Sequence, residues 1–470
     1  MGEIPGEKYM AIARLGKMLA MWAVLATAFL VVSASAESKA RIVRLSQVQG
    51  TVQIDRAAGD GFDKAFINLP VIEGSKLKTG KDGRAEVEFE DGSALRLAPD
   101  SEVDFIHLAL GDDGQKQSAV ELVSGTVYAN LHPKKSGNKT GDQFQLNFAR
   151  ESVTVAGAAH FRVELDGTSK ATLAVFKGKL SATSPSGQFE VAEKHSATIG
   201  LTEDDPAKDD SAGKDTFVIA KNYEVAPSDA WDRQQTDYHD RYASAGGSSI
   251  SSPYGYGMSD LNYYGSFMTV AGYGNVWQPY FIGADWSPFQ DGGWAFYPGS
   301  GYMWVSGYPW GWMPYNYGNW AFIPGFGWAW QPGYYNPWYG IPQVVNPPVR
   351  TKVPTPPVRG HQTVMVGLGL AANPAVGAPS RLTISPGSAG FGVPRGSVRH
   401  LDRLAKTMDR TSRPVVVSTV APVSTTAAPT GLGTSSRSTS SPSMRGGTST
   451  GMAPMGAPHR SAAPPSSRPH

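Results

Sequence analysis

The chain has no cysteine among its 470 residues. That absence excludes disulfides, thiolate metal sites, cysteine nucleophiles and a lipidated N-terminal cysteine. Charge is scarce as well: Asp, Glu, Lys and Arg make up 17% of the chain, against roughly 25% in an average globular protein. In their place stand 54 Gly, 35 Pro and 12 Trp. Gly and Pro weaken or break helix interiors, so an all-helical protein is excluded. Catalytic constellations are missing too. The nine His form no i,i+4 pair and no H-E-x-x-H, and no G-x-S-x-G elbow occurs. The stretch from Gly367 to Ala372 mimics a dinucleotide fingerprint, but Pro374 stops the helix such a site needs. Asp112-Asp113 reads as a solvated loop and His160 as an ordinary strand residue. The expectation is a non-enzyme with no catalytic residue, no cofactor and no metal site.

What charge there is divides unevenly. The formal charge of +2 averages a tail, 341–470, at +12 and a body, 37–340, at −11. At the other end, Met18–Val32 is an unbroken, mostly apolar run behind Arg14 and Lys17, and Ala34-Ser35-Ala36 follows it. A basic start, a short apolar stretch and an A-x-A site read as a secretory signal peptide over 1–36, with Glu37 first in the mature chain. The run falls short of the roughly 20 residues a bilayer span needs, so no transmembrane anchor is expected after cleavage. Export to the periplasm or cell surface follows.

From Arg41 to about residue 200 the chain reads as short strands and turns. Ala85, Val87 and Phe89 alternate with Glu86, Glu88 and Glu90, and Asp91-Gly92 then turns into Ala94–Leu97. Period-2 alternation ending on Asp-Gly is a strong hairpin signal. Many such pieces with no helical period predict an antiparallel β-sandwich or β-roll. Residues 41–200 also resemble the extracytoplasmic domain of FecR-like proteins. The likeness rests on Gly50-Thr51-Val52, Leu77–Gly80, Gly83–Val87, Leu95-Arg96-Leu97, Leu122–Val127, Val153–Ala158, His160–Val163 and Val175–Leu180. It implies an all-β domain that makes contacts and carries no catalytic residue. The best-known members are anchored regulators that relay a receptor signal to a cytoplasmic sigma factor. Here only 17 residues precede the apolar run, too few for a cytoplasmic regulatory part, so the domain is read as a β-module on an exported protein.

Residues 201–227 form an acidic linker, and Ser228 opens a short helix within 228–245 that sets Trp231 and Tyr238 on one face. Aromatic residues then dominate the segment 254–340. Residues 254–339 hold 10 Trp, 14 Tyr and 6 Phe, three Asp, and no Lys or Arg. The pattern aromatic-x4-Gly-x-Gly-x2-Trp recurs at Phe267–Trp277, Trp294–Trp304 and Trp320–Trp330. Each copy reads as a short hairpin whose Gly residues take the φ > 0 turn positions. A unit this short cannot bury both faces alone, so the three copies are expected to stack around shared Trp layers. Rings common to the copies are assigned to the core. Non-repeated ones, Tyr308, Trp310, Tyr334, Tyr335 and Trp338, are the candidate exposed platforms for sugar stacking, with Asp260, Asp285 and Asp291 as hydroxyl acceptors. Nucleic acid is excluded as a ligand of this segment because it offers phosphates no cation. The segment resembles a bacterial family of unknown function built from Tyr/Trp-Pro-Gly repeats, commonly placed after a FecR-like domain. The likeness is carried by Asp260-Leu261, Tyr264-Gly265, the repeat cores, Trp310-Gly311-Trp312 and Pro314-Tyr315.

The tail, 341–470, holds 19 of the 35 Pro and one aromatic, Phe391. Such a composition predicts a mostly disordered, basic Pro/Ser/Thr-rich segment. Two exceptions are a strand at Thr363–Val366 and a helix over Ser397–Arg410 with Val398, Leu401, Leu404, Ala405 and Met408 on one face. Opposite charge would let the tail fold back on the body, with Arg over Tyr or Trp faces. The fold class is therefore mainly β: a FecR-like antiparallel β-domain, an aromatic-rich β-hairpin repeat domain and a long C-terminal tail. The expected role is binding or scaffolding in the envelope, with an envelope protein or a cell-wall glycan as partner. Glycan or peptidoglycan binding through exposed Trp and Tyr is the alternative, and sigma-factor relay a third reading.

Overall fold

The computed structural model describes residues 41–420, apart from 112–113, 134–140, 156, 168, 185–186, 202–215, 244–254, 336–339, 368–380 and 412. The signal segment, Asp112-Asp113 and Trp338 lie outside the described residues. The fold is mostly β, as its alternating patterns predict.

Seventeen strands between Val43 and Ala220 form the first β-body, two layers of largely antiparallel sheet. The two layers share one long strand, Lys116–Leu131. Its first half pairs with Glu102–Leu110 in one layer; its second half pairs with Ala94–Leu97 and Ala159–Asp166 in the other. The bend falls at Gly125, where φ is +81° and a Cβ would come within 2.4 Å of the Asp100 carbonyl oxygen. No side chain fits there. Leu45, Val87, Leu95, Phe105, Leu122 and Phe161 fill the space between the layers. The hairpin read at Asp91-Gly92 forms in register, Ala85 opposite Leu97 and Glu86 opposite Arg96. A last strand, Thr216–Ala220, extends the sheet into the stretch read as linker.

A helix follows at Asp229–Tyr242, with Trp231 and Tyr238 both buried as their spacing predicts. Ser228 makes no side-chain cap; the Asp229 carboxylate instead accepts from the Ala226 N–H. Beyond a short helix, Met258–Tyr264, come the three repeat hairpins, 265–270/274–279, 292–297/301–306 and 317–323/327–335. In each, the first and last residues of the repeat face one another: Phe267 opposite Trp277, Trp294 opposite Trp304, Trp320 opposite Trp330. The turn glycines take φ between +74° and +98°.

The copies do not stack as three equivalent layers. The first and third join edge to edge in one sheet, at Trp277 and Trp330, whereas the second lies in a sheet of its own with Val364–Val366. The reason lies in the second copy's other face. Its Ala295, Tyr297, Met303 and Val305 belong to the core of the first β-body, while Trp294 and Trp304 belong to the aromatic core. Period-2 alternation lets one hairpin serve two cores.

In the tail, the strand expected at Thr363–Val366 forms as Val364–Val366 and the helix expected over Ser397–Arg410 forms as Leu401–Thr411, and further pieces join them. Gln343–Val345 pairs in parallel with the third hairpin, and Arg381–Ile384 pairs with Val415–Ser418 around a helix at Leu401–Thr411. Ile384, Ala389, Val393, Val398, Leu401, Ala405 and Met408 are all in the aromatic core. The tail is poor in apolar residues on average, but those it has are concentrated where they can be buried. Residues 421–470 lie outside the described residues.

One glycine pattern explains how the Trp pairs fit. Two residues before the first repeat position stand Gly265, Gly292 and Gly318. A Cβ on Gly265 would lie 2.3 Å from Cζ2 of Trp277, and one on Gly292 the same distance from Cζ2 of Trp304. Each indole occupies the place of a side chain. Gly318 serves a bulge instead, at φ +56° against the Gln331 carbonyl. Gly292→Ala is therefore expected to destabilise by about 1–3 kcal/mol, the range for overpacking a filled core. Gly157→Ala, at an open position without positive φ, serves as control. Thermal denaturation checks the pair, and equal melting temperatures would contradict the packing described.

Candidate functional site

Two features could carry function: a buried chain of charges, and an aromatic cleft. The chain starts from the polar face of the Arg84–Glu88 strand. Ala85 and Val87 point into the sandwich, so Glu86 and Glu88 point out, yet both are buried, at 0% and 2% exposure. Helices and tail cover them. From Glu88 the contacts run without a break. Glu88 meets Arg44 at 3.1 Å, Arg44 meets Asp260 at 2.7 Å, and Asp260 meets Arg395 at 2.9 Å. Arg395 then meets Glu86 at 2.6 Å, Glu86 meets Arg96 at 2.8 Å, and Arg96 meets Asp232 at 2.6 Å. Asp232 ends the chain on His160, at 2.7 Å. His239 adds a contact to Glu86 at 3.0 Å.

The members come from four parts of the chain. Arg44, Glu86, Glu88, Arg96 and His160 lie on strands of the first β-body; Asp232 and His239 lie on the Asp229–Tyr242 helix. Asp260 belongs to the helix that opens the aromatic segment, and Arg395 to the tail. Arg395 also donates to the Ser46 carbonyl and sits 5.0 Å over the Tyr238 ring. A tail arginine on a tyrosine face of an acidic body is the fold-back expected from charge. A second pairing runs alongside, where Arg162 and Tyr128 both donate to Asp229, at 2.5 and 2.8 Å.

Burial alone would drive these carboxylates neutral, and the partners decide otherwise. Burial opposes ionisation of Glu86, but His239, Arg395 and Arg96 hold its pKa well below the ordinary value. Asp260 is likewise lowered against burial by Arg395 and Arg44, and Asp232 by Arg96 and His160. Glu88 goes the other way, raised by its burial. His160, read from sequence as an ordinary strand residue, is thus one end of an ionic chain.

The candidate stacking residues fare differently from expectation. Tyr308 and Trp310 are buried, at 1% and 0% exposure, and this corrects their assignment as exposed platforms. Their rings stack on each other at 4.9 Å. Tyr308 donates to Asp291 and accepts from the Trp286 indole; the Trp310 indole donates to the Ala389 carbonyl at 2.7 Å. They pack where the hairpins and the tail converge, so lack of repetition did not mean exposure. Tyr334 and Tyr335 lie at the end of the Gly327–Tyr335 strand, with side chains outside the described residues, as is Trp338. Of the three acceptors, Asp260 is consumed in the ionic chain, Asp291 takes Tyr308, and Asp285 is exposed.

Asp285 borders the aromatic cleft, a concavity of about 720 Å³. Trp286, Phe289, Trp294, Phe322 and Trp328 line it with Asp285, Ser287 and Gln290, and the strap 348–355 adds Arg350, Thr351, Lys352 and Thr355. Sequence reasoning missed this site because the strap that completes its lining lies in a tail read as mostly disordered. Among the described residues, no group of three or more His, Asp or Glu is placed to hold a metal, and no helix is long and apolar enough to cross a membrane.

Comparison with known proteins agrees with the two-part architecture. The FecR protein family model matches residues 75–181, and the model of a family of unknown function, DUF6600, matches 258–351. The chain carries a FecR domain followed by a DUF6600 domain. Two crystal structures of a proposed anti-sigma factor from Parabacteroides distasonis are similar at 15% identity, covering 35% of this chain and 72% and 71% of theirs. The TM-score is 0.26 in both cases, at which the likeness decides neither fold nor function. No curated protein matches the chain.

Removing one partner from a buried ion pair strands the other, at a cost of about 3–5 kcal/mol. Arg395→Ala is expected to lose stability in that range by urea unfolding at pH 7. The pH dependence has a definite sign. Glu86, Asp232 and Asp260 have lowered folded values, so their contribution is complete above the ordinary carboxylate pKa and lost as pH falls through the folded values. Glu88, raised, offsets part of it. Stability should fall with acid below about pH 4, and more shallowly in Arg395→Ala. An acid limb unchanged by that substitution would contradict the assignment.

Proposed function

We propose that the protein is a non-catalytic, exported envelope module that binds or scaffolds through one rigid body. The observation that carries this reading is the ionic chain from Glu88 to His160, which ties FecR domain, connecting helix, aromatic segment and tail together. Such a chain spends the molecule's buried polar groups on cohesion. It leaves a cleft lined by aromatic, hydroxyl and cationic groups as the surface suited to a ligand. The FecR domain match also fits a FecR-type regulator, and relay to a sigma factor is the second reading.

The two readings part at the N-terminus and at the envelope. Sequencing the mature protein is expected to find Glu37 first, and the purified protein is expected to remain on isolated cell-wall sacculi after a wash at moderate salt. A retained Met1–Ala36 segment, with no sacculus binding, would overturn the module reading in favour of an anchored relay.

A further inference from the structure

We propose that the aromatic cleft is a binding site for an acidic oligosaccharide, one whose sugars carry a carboxylate. The proposal rests on the binding reading above and names its ligand class. Three observations converge. The first is shape: about 720 Å³ falls within the roughly 300–1,000 Å³ of small-ligand sites.

The second is the lining. Phe322 is half-buried, so part of its ring is available in a lining that also includes the buried Trp286 and Trp328. Asp285, Gln290 and Thr351 add acceptors and donors to the lining. Rings beside hydroxyl-pairing groups match a sugar, whose C–H face is apolar and whose rim is polar.

The third is charge. No acidic residue occurs between Asp291 and Asp402, so the strap carries Arg350 and Lys352 with no carboxylate near them in sequence. Both are exposed and line the cleft, and neither is in an ion pair among the described residues. On a body that is otherwise acidic, two unpaired cations at one mouth mark where an anion is received. Asp285 in the same lining sets the limit: a single carboxylate can sit on the strap, while a phosphate-rich strand would meet that negative charge. The exclusion of nucleic acid from sequence covered 254–340 alone; Asp285 in the lining keeps it in force with the strap included.

The test is isothermal calorimetry on the full mature chain with three probes: a muramic-acid-containing disaccharide, neutral diacetylchitobiose, and a short oligothymidylate. The carboxylated sugar is expected to bind at least about tenfold more tightly than the neutral one, the scale of one lost charge-assisted hydrogen bond. Arg350→Ala/Lys352→Ala is expected to abolish that preference. Both residues are exposed, so the variant should fold as the parent does. Equal affinity for the two sugars, tighter binding of the oligonucleotide, an unchanged preference in the double variant, or no binding by any probe would overturn the proposal. The sacculus wash separates the two levels. If the double variant stays on sacculi while the calorimetry fails, the envelope reading stands and the cleft is not its site.

Discussion

The structure depends on one arrangement: acidic and basic side chains buried in a line, each carboxylate between two basic groups or, for Glu88, between Arg44 and the Gly257 N–H. Isolated, any one of these groups would cost several kcal/mol to bury. Linked, the basic partners hold the pKa values of Glu86, Asp260 and Asp232 below the ordinary value, and the line joins the first β-body, the connecting helix, the aromatic segment and the tail at Arg395. Its geometry is also selective. Arg44 pairs with both Glu88 and Asp260 while donating to the Asn68 side chain and the Pro309 carbonyl. A guanidinium can satisfy four partners in fixed directions, which an ammonium cannot. The arrangement therefore sets how the parts meet, beyond holding them together.

Hydrophobic packing completes what the charges orient. The middle hairpin gives one face to each core, and its Tyr297 hydroxyl donates to the Pro70 carbonyl at 2.7 Å. Asn68 donates to the carbonyls of Ser306, the last residue of the same hairpin, and Tyr308. With no cysteine to staple them, the parts are joined by large aromatic rings, each burying on the order of 150–250 Å², and by directed polar contacts. Tail residues finish the aromatic core, so the +12 segment is partly a structural component.

Much of the fold was legible in sequence for definite reasons. Alternation around Asp91-Gly92, the thrice-repeated Gly-x-Gly-x2-Trp and the Trp231–Tyr238 spacing are local signals, and each produced the element it implied. The tail helix face was legible for the same reason. What escaped was long-range. Period-2 alternation puts Glu86 and Glu88 on one side of a strand but says nothing of what covers that side. Arg395, 309 residues away from Glu86, sits in a segment whose average composition hides its few buried residues. The exposed-platform assignment of Tyr308 and Trp310 failed because repetition reports symmetry, and a core where three hairpins and a tail converge also needs unsymmetrical rings. The glycines before each repeat were visible, but their meaning needed the indole positions.

The central claim is that the ionic chain makes the FecR domain, the aromatic segment and the tail up to residue 420 a single cooperative unit. Hydrogen exchange in increasing denaturant tests it most directly, comparing amides of the Ala85–Leu97 hairpin with those of the Trp320–Trp330 hairpin. The account predicts that both exchange through one common unfolding in the parent chain, and that Glu86→Gln separates them. Two independent openings in the parent would contradict it.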